Sequence, residues 1–477
     1  MAAEQERQSE AVGVLQSLDG RKASGFYWYL TVLACVGGFL FGYDTSVVGS
    51  VLNFIPYKLS DLATGYLVAG ASLGAAAGAI CAGPLTDRFG RKSLLIIDAL
   101  IFAIGALLSA FTVNAAMLII SRTLVGLAVG ADSAIATAYI AEFAPAKKRG
   151  SLSIVQQWMI TVGILVSYLI ALLIFAVAPG AVRTADWRLV FGLGAVPAII
   201  AMLLRARMPE SPRWLLHRGR YADTQAAFGK LGIDVTEDQV RDTAEELERQ
   251  AAALEDKRRW TPGVVRALIV VCVFFIFQQI TGINVPFYYG PKLLAGLFQS
   301  GGAVNSAMSG LETAAILGTV NVIATFFAFR YIDRLGRRKL ALGGFAGMVI
   351  FMVIAAAGVA FLSGGAKIIV VMVGFGLFIA SFAIGVGGTG WLIQGEVFPT
   401  SVRGQAAAGA ATVNWLSNFA IVVLFPTLNT AFGLSWVMIL LAFLSLLAVI
   451  FVAKFLPETK NLSVEQVVHV FERQQQS

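Results

Sequence analysis

Twelve stretches of mainly apolar residues recur along the chain, each about as long as a bilayer is thick. A helix rises 1.5 Å per residue, so roughly 20 apolar residues cross a hydrocarbon core of about 30 Å. The stretches are 26–49, 62–85, 93–113, 116–141, 152–177, 187–207, 264–286, 311–332, 341–363, 368–397, 407–430 and 433–456. Hydrophobic residues make up 57% of the 477 and charged residues 13%, about half the charge of an average soluble domain. A folded soluble chain has to wet its surface and cannot hide that much apolar area. The reading is an all-α integral membrane protein with twelve transmembrane helices. The 368–397 stretch is long for one crossing, which predicts tilt or a break at its glycines.

Orientation follows from the short loops. Those after spans 2, 4, 8 and 10 hold Arg88, Arg91, Lys92, Lys147, Lys148, Arg149, Arg330, Arg334, Arg337, Arg338, Lys339 and Arg403. The opposite loops hold Lys58, Arg183, Lys292 and Lys367. This bias predicts both termini in the cytoplasm of a multi-pass protein of the cell (plasma or inner) membrane. It also accounts for the net charge of +8 without a nucleic-acid partner. The polar start lacks a signal-peptide pattern. Cys35, Cys81 and Cys272 lie in apolar runs at no metal spacing, and His217 and His469 sit in polar segments, so neither a disulfide framework nor a metal site is expected. The expected organisation is a tail (1–25), a six-helix bundle (26–207), a cytoplasmic linker (208–262), a second six-helix bundle (263–456) and a tail (457–477). In the linker Val240, Ala244, Leu247, Ala251 and Leu254 recur at helical spacing, and Thr236 with Gln239 fits a capping box. Short amphipathic helices are expected there, with a plain linker as the alternative.

The two halves echo each other. Asp87-Arg88-Phe89-Gly90-Arg91-Lys92 follows span 2, and Asp333-Arg334-Leu335-Gly336-Arg337-Arg338 follows span 8. Glu142 precedes Arg149-Gly150 by the same seven residues that separate Glu396 from Arg403-Gly404. Parallel six-helix repeats place a solute site at their interface and expose it to alternate sides by rocking. Topology alone explains the basic residues but not the acids. Asp87, Glu142, Asp333 and Glu396 with Arg88, Arg91, Arg149, Arg334, Arg337 and Arg403 therefore suggest a cytoplasmic latch, because guanidinium forks bind carboxylates with two hydrogen bonds. Single pairs near water contribute on the order of 1 kcal/mol, which suits a gate that reopens each cycle.

Six strings carry a resemblance. They are Gly37-Gly38-Phe39-Leu40-Phe41-Gly42-Tyr43-Asp44; the segment 83–92; Arg122 with Gly126 and Gly130; Pro209-Glu210-Ser211-Pro212-Arg213-Trp214; Gln278-Gln279-Ile280-Thr281-Gly282-Ile283-Asn284; and Pro457-Glu458-Thr459-Lys460-Asn461. In this order the chain resembles the sugar porter family of the major facilitator superfamily along essentially its whole membrane region. The resemblance implies a sugar site made by Phe41, Gln157, Gln278, Gln279, Asn284, Tyr288, Asn321, Trp391, Asn414 and Trp415, and it adds Glu210 to the latch. The chemistry agrees: amides donate and accept as sugar hydroxyls do, carry no charge, and an indole offers a flat face to ring C–H groups. Gln278 and Gln279 stand about 100° apart on a helix, so only one is expected to point squarely inward.

Asp44 and Arg122 are ionisable residues inside spans, which mark functional sites by default. Helix rise puts Asp44 roughly 27 Å from the inner end of span 1 and Arg122 roughly 9 Å from the outer end of span 4, so they can meet. Proton-coupled members of the family carry Asp at the Asp44 position, which implies proton symport through Asp44 and Arg122. Two departures stand out. Asp132 lies where a small or apolar residue is expected, and reads as a second proton site or the partner of a cytoplasmic arginine. Gly387-Gly388-Thr389-Gly390 precedes Trp391 where relatives often have prolines. The expected function is a proton-coupled monosaccharide symporter for a hexose or pentose. It is a transporter rather than an enzyme, has no cofactor beyond the coupling proton, and is a monomer in the lipid bilayer. Symport of a polyol, cyclitol, phosphate or organic acid, facilitative sugar uniport, and nutrient sensing remain the alternatives.

Overall fold

A computed structural model describes residues 25–143, 149–230, 232–245, 260–297, 302–399, 402–460 and 470–471. Among these residues there are helices and no strands, and twelve helical segments are long and apolar enough to cross a membrane. In order, spans 1 to 12 are Trp28–Val51, Asp61–Phe89, Arg91–Ala110, Ala115–Ile140, Val155–Val177, Pro179–Arg205, Pro262–Tyr288, Val304–Ala328, Arg337–Phe361, Gly364–Val397, Arg403–Phe432 and Leu434–Phe455. Helix is the form that satisfies every backbone N–H and C=O within the segment, as lipid requires.

Two expected starts are late. Span 6 begins at Pro179 rather than 187 and span 8 at Val304 rather than 311. Both extensions are polar: span 6 enters through a wide π-type turn, Val182–Asp186, and the helix carrying span 8 starts just after Gly302 at φ 90°. Hydropathy does not register turns of that composition. Span 10 does break pattern at its glycines, through a π-type turn at Ala383–Gly387 inside continuous helix. Span 7 is interrupted as well: regular helix stops at Ile280 and restarts at Val285, with Gly282 at φ 84° between them.

Spans 2 and 4 and spans 1 and 5 pack together in the first half, as do spans 9 and 10 and spans 9 and 12 in the second. The halves meet where span 2 lies on span 11 and span 5 on span 8, two contacts that exchange under a six-span repeat. Small residues allow this closeness: a Cβ on Gly126 or Gly130 of span 4 would overlap the backbone of Ala71 or Ala75 of span 2, the packing expected where lipid supplies no hydrophobic drive between helices.

Between the halves lie Pro212–His217, Tyr221–Lys230 and a helix over 237–245. Ser211 caps the first, accepting from Trp214 N at 3.3 Å. Thr236 and Gln239 form a reciprocal capping box, with N–H···O distances of 3.1 and 3.3 Å. Val240 and Ala244 are buried with Met208, Leu216, Phe228 and Ile233 against Leu94 and Tyr139, so this part of the segment packs as short helices. Leu247, Ala251 and Leu254 lie outside the described residues, as do the N-terminal tail and most of the C-terminal one.

Candidate functional site

A cavity of about 880 Å³, open solvent included, lies between the halves. Spans 1, 4 and 5 line it from one side and spans 7, 8, 10 and 11 from the other. Phe41, Gln157, Gln278, Gln279, Asn284, Asn321, Trp391, Asn414 and Trp415 all border it. Tyr288 does not: it is fully buried behind the wall, with its hydroxyl beside Thr45 and Ser72 and close to Asp44 and Arg122. One helical turn separates it from Asn284, and that turn carries the side chain past the cavity.

The amides form a connected wall. Gln279 Nε2 donates to Asn414 Oδ1 at 2.8 Å. Asn284 Nδ2 donates to Gln279 Oε1 at 2.9 Å and to Asn418 Oδ1 at 3.2 Å. Asn418 Nδ2 in turn donates to Ser72 Oγ at 3.1 Å, crossing into the first half. The break at Gly282 makes this possible, because it turns Asn284 back toward Gln279. Gln278 also borders the cavity, yet its Nε2 is held by Val386 O and Gly387 O, both at 3.1 Å. Those acceptors belong to the wide turn of span 10, a kind of turn common at functional sites. Gln278 Oε1 is buried without a partner. Aromatic rings close the ends. Phe41 meets Trp415 edge-on at 4.9 Å between centroids, across the two halves, and Trp391 lies 5.0 Å from Phe275.

Lining residues that the sequence reading passed over include Gln156, Thr161, Phe382 and Asn418. Thr161 and Asn418 sit one helical turn beyond Gln157 and Asn414, so extending each named face by four residues would have found them. Asp132 is the one ionisable side chain among the lining residues. Its Oδ1 lies 2.5 Å from Arg205 Nη2.

Asp44 and Arg122 form a buried ion pair. Arg122 Nε and Nη2 find no hydrogen-bond partner, so a single carboxylate holds a guanidinium whose remaining donors are unmet. Burying ions this way costs several kcal/mol each unless the partner stays in place.

The two halves reuse one device at the face carrying the Arg- and Lys-rich loops. Gly90 at φ 91° and Gly336 at φ 89° separate span 2 from span 3 and span 8 from span 9. A carboxylate then caps each new helix. Glu210 Oε1 accepts from Arg91 N at 3.0 Å, and Glu458 Oε1 from Arg337 N at 2.8 Å. Helix N-termini favour such anions. Glu458 was quoted from sequence only within a family string and given no latch role, although Pro457-Glu458-Thr459 repeats Pro209-Glu210-Ser211. Glu396 is clamped by Arg337 Nη2 and Thr459 Oγ1, both at 2.7 Å. Asp87 is largely exposed and lies 3.5 Å from Arg91. Arg88 lies over the Phe89 ring, Arg334 O accepts from Lys460 Nζ at 2.8 Å, and Arg403 Nε donates to Phe398 O at 3.0 Å. The side chains of Glu142, Arg149 and Asp333 lie outside the described residues.

Comparison with known proteins places this architecture. The family described as "Sugar (and other) transporter" matches residues 30–471. The glucose transporter GlcP of Staphylococcus epidermidis is 36% identical over 446 residues, 92% of this chain and 96% of that protein. The arabinose-proton symporter of Bacillus subtilis is 34% identical over 452 residues, 93% and 94% of the two chains. The partially occluded inward open structure of the Escherichia coli xylose transporter XylE superposes with a TM-score of 0.79 at 28% identity, covering 92% of this chain and all of that one. With twelve helices, a duplicated loop device and near full-length similarity, the chain belongs to the sugar porter family of the major facilitator superfamily and is a multi-pass membrane transporter.

Proposed function

We propose that this protein is a proton-coupled symporter that carries a hexose or pentose into the cell. The observation that carries this reading is the composition of the cavity wall: linked amides and two indoles, with no lysine, arginine or histidine among the lining residues. Amides match hydroxyls in both hydrogen-bonding senses, and indoles match the apolar face of a sugar ring. A phosphate or organic acid would find no counter-charge there, only Asp132. Relatives named for glucose and for arabinose with protons support the same assignment.

In this reading Gln157, Gln278, Gln279, Asn284, Asn321 and Asn414 bind hydroxyls, while Phe41, Trp391 and Trp415 flank the ring. A proton on Asp44 cancels its charge and loosens its hold on Arg122, and the proton's departure restores the pair. Tyr288, one turn after Asn284 on span 7, lies close to this pair, so span 7 links the solute wall to it. The halves rock about the cavity, and the Glu396–Arg337 pair with the helix caps made by Glu210 and Glu458 holds the loops at the mouth. The excess of Arg and Lys on that face makes it cytoplasmic in the cell membrane. Two six-span bundles, 26–207 and 263–456, are the moving units, and a single copy suffices.

Uptake into proteoliposomes tests the proposal. Sugar should accumulate above its outside concentration when the lumen is made alkaline, and should only equilibrate without the gradient. Equilibration under both conditions identifies a uniporter. No uptake of any sugar in a panel removes the sugar assignment.

A further inference from the structure

Four groups of the first half, unused by that mechanism, meet near the cavity. Arg205 closes span 6 and is about 1% exposed. Its Nη1 lies 3.0 Å from Asp98 Oδ1 of span 3 and its Nη2 2.5 Å from Asp132 Oδ1 of span 4. Its other donors are spent on backbone: Nε to Leu33 O at 3.2 Å, Nη1 to Leu95 O at 2.8 Å and Nη2 to Ala34 O at 3.0 Å. Cys35 of span 1 is the remaining titratable side chain facing them. The two aspartate side chains are 4% and 6% exposed.

The charges do not balance. Two carboxylates against one guanidinium leave a net negative charge on residues that are almost entirely buried, and an unpaired buried charge is far more costly than a paired one. The Asp98 and Asp132 carboxyls both sit on the one Arg205 guanidinium, a closeness two anions would avoid. Asp98 Oδ2 is buried with no donor. One proton answers all three observations: it neutralises the trio, bridges the carboxyls and supplies the missing partner. Two carboxyls held at close range can share one proton in this way.

We propose that Asp98 and Asp132 share one proton over Arg205, and that this is a second proton site, separate from Asp44 and Arg122, that exchanges with the central cavity through Asp132. The route is short. Asp132 borders the cavity beside Gly37 and Gly38 of span 1, and its carboxyl fills the space where a Cβ on Gly37 would go. A residue with a side chain at 37 would close that window.

Infrared spectroscopy of the purified full-length protein reads the proton directly and needs no transport. The wild type should show the carbonyl stretch of a protonated carboxyl at neutral pH. Asp132→Asn and Asp98→Asn should each lose that band, because each leaves one carboxylate balanced by Arg205, and Asp44→Asn should keep it. Both single variants should melt near the wild type, whereas the double variant, which strands Arg205, should melt well below. Absence of the band in the wild type overturns the proposal, as does its persistence in both single variants. Stabilisation of the wild type by sodium chloride but not by choline chloride would assign the missing charge to a metal cation and equally overturn it. A second arm rests on the sugar-symport reading. In the Asp44→Asn background, sugar affinity should keep a pH dependence that added Asp132→Asn removes. If no sugar binds, that reading fails while the infrared result stands.

Discussion

Gln279 uses both ends of its amide, donating to Asn414 and accepting from Asn284. Removing it takes the donor from buried Asn414 Oδ1 and leaves Asn284 Nδ2 with Asn418 alone, and a buried polar group left unpaired costs about 1–3 kcal/mol. Gln279→Ala should therefore weaken sugar binding by roughly tenfold or more, read as a rise in KM or in the Kd from a thermal-shift titration. Gln278→Ala acts differently, because its nitrogen ties span 10 at Val386 and Gly387; it should lower kcat as well as affinity. Asp44→Asn removes the charge that Arg122 faces. It should abolish accumulation driven by a pH gradient yet leave sugar exchange between equal pools, and unchanged accumulation would refute Asp44 as the coupling residue. The neutral amides and the Asp44–Arg122 pair were legible in the sequence because uncharged polar and ionic residues are rare in apolar runs. Arg205 was not. At the end of a span beside a polar linker it reads as a topology residue, and its partners Asp98 and Asp132 are near it only after spans 3, 4 and 6 pack.

Among the elements, span 7 departs from a plain membrane helix at the point that shapes the cavity wall. Its interruption at Gly282 sits in a left-handed backbone region, where a side chain costs roughly 1–2 kcal/mol, and a Cβ there would also press on the Leu441 side chain, 2.6 Å away. Gly282→Ala should lower the melting temperature and disturb Asn284 together with sugar affinity. The twelve spans were legible because bilayer thickness imposes their length. The interruption was not, since Thr281-Gly282-Ile283 is as apolar as its neighbours and its φ angle leaves no trace in hydropathy. The early starts of spans 6 and 8 were missed for the opposite reason: helix continued through polar residues. The carboxylate caps contribute about 0.3–1 kcal/mol each. Glu210→Gln and Glu458→Gln should thus have modest and similar effects on thermal stability, and a large difference between them would contradict their equivalence across the repeat.

At the scale of the whole molecule, the duplicated loops announced two comparable halves, but which faces of those halves touch depends on geometry that no single motif encodes. Several contacts between them gather away from the basic loops. Tyr168 Oη donates to Phe287 O at 2.6 Å, Gly49 abuts the carbonyls of Phe287 and Tyr288, and Tyr66 meets Phe419 edge-on at 5.7 Å. These tie the halves together on the side away from the Arg- and Lys-rich loops. Tyr168→Phe deletes one such tie, about 1 kcal/mol, and should shift the resting population roughly fivefold toward the form open on that face, measured as faster labelling of a cavity cysteine by an impermeant reagent added from that side.

The chain of amides from Asn414 through Gln279 and Asn284 to Asn418 and Ser72 has one more implication. Along this chain the amides already serve one another, so a guest that engages them is judged by replacement, not by addition. Each hydroxyl that enters has to take over a donor and an acceptor at once. A deoxy analogue vacates one of those posts and leaves an amide stranded, so selectivity against missing hydroxyls exceeds what the lost contact alone would supply.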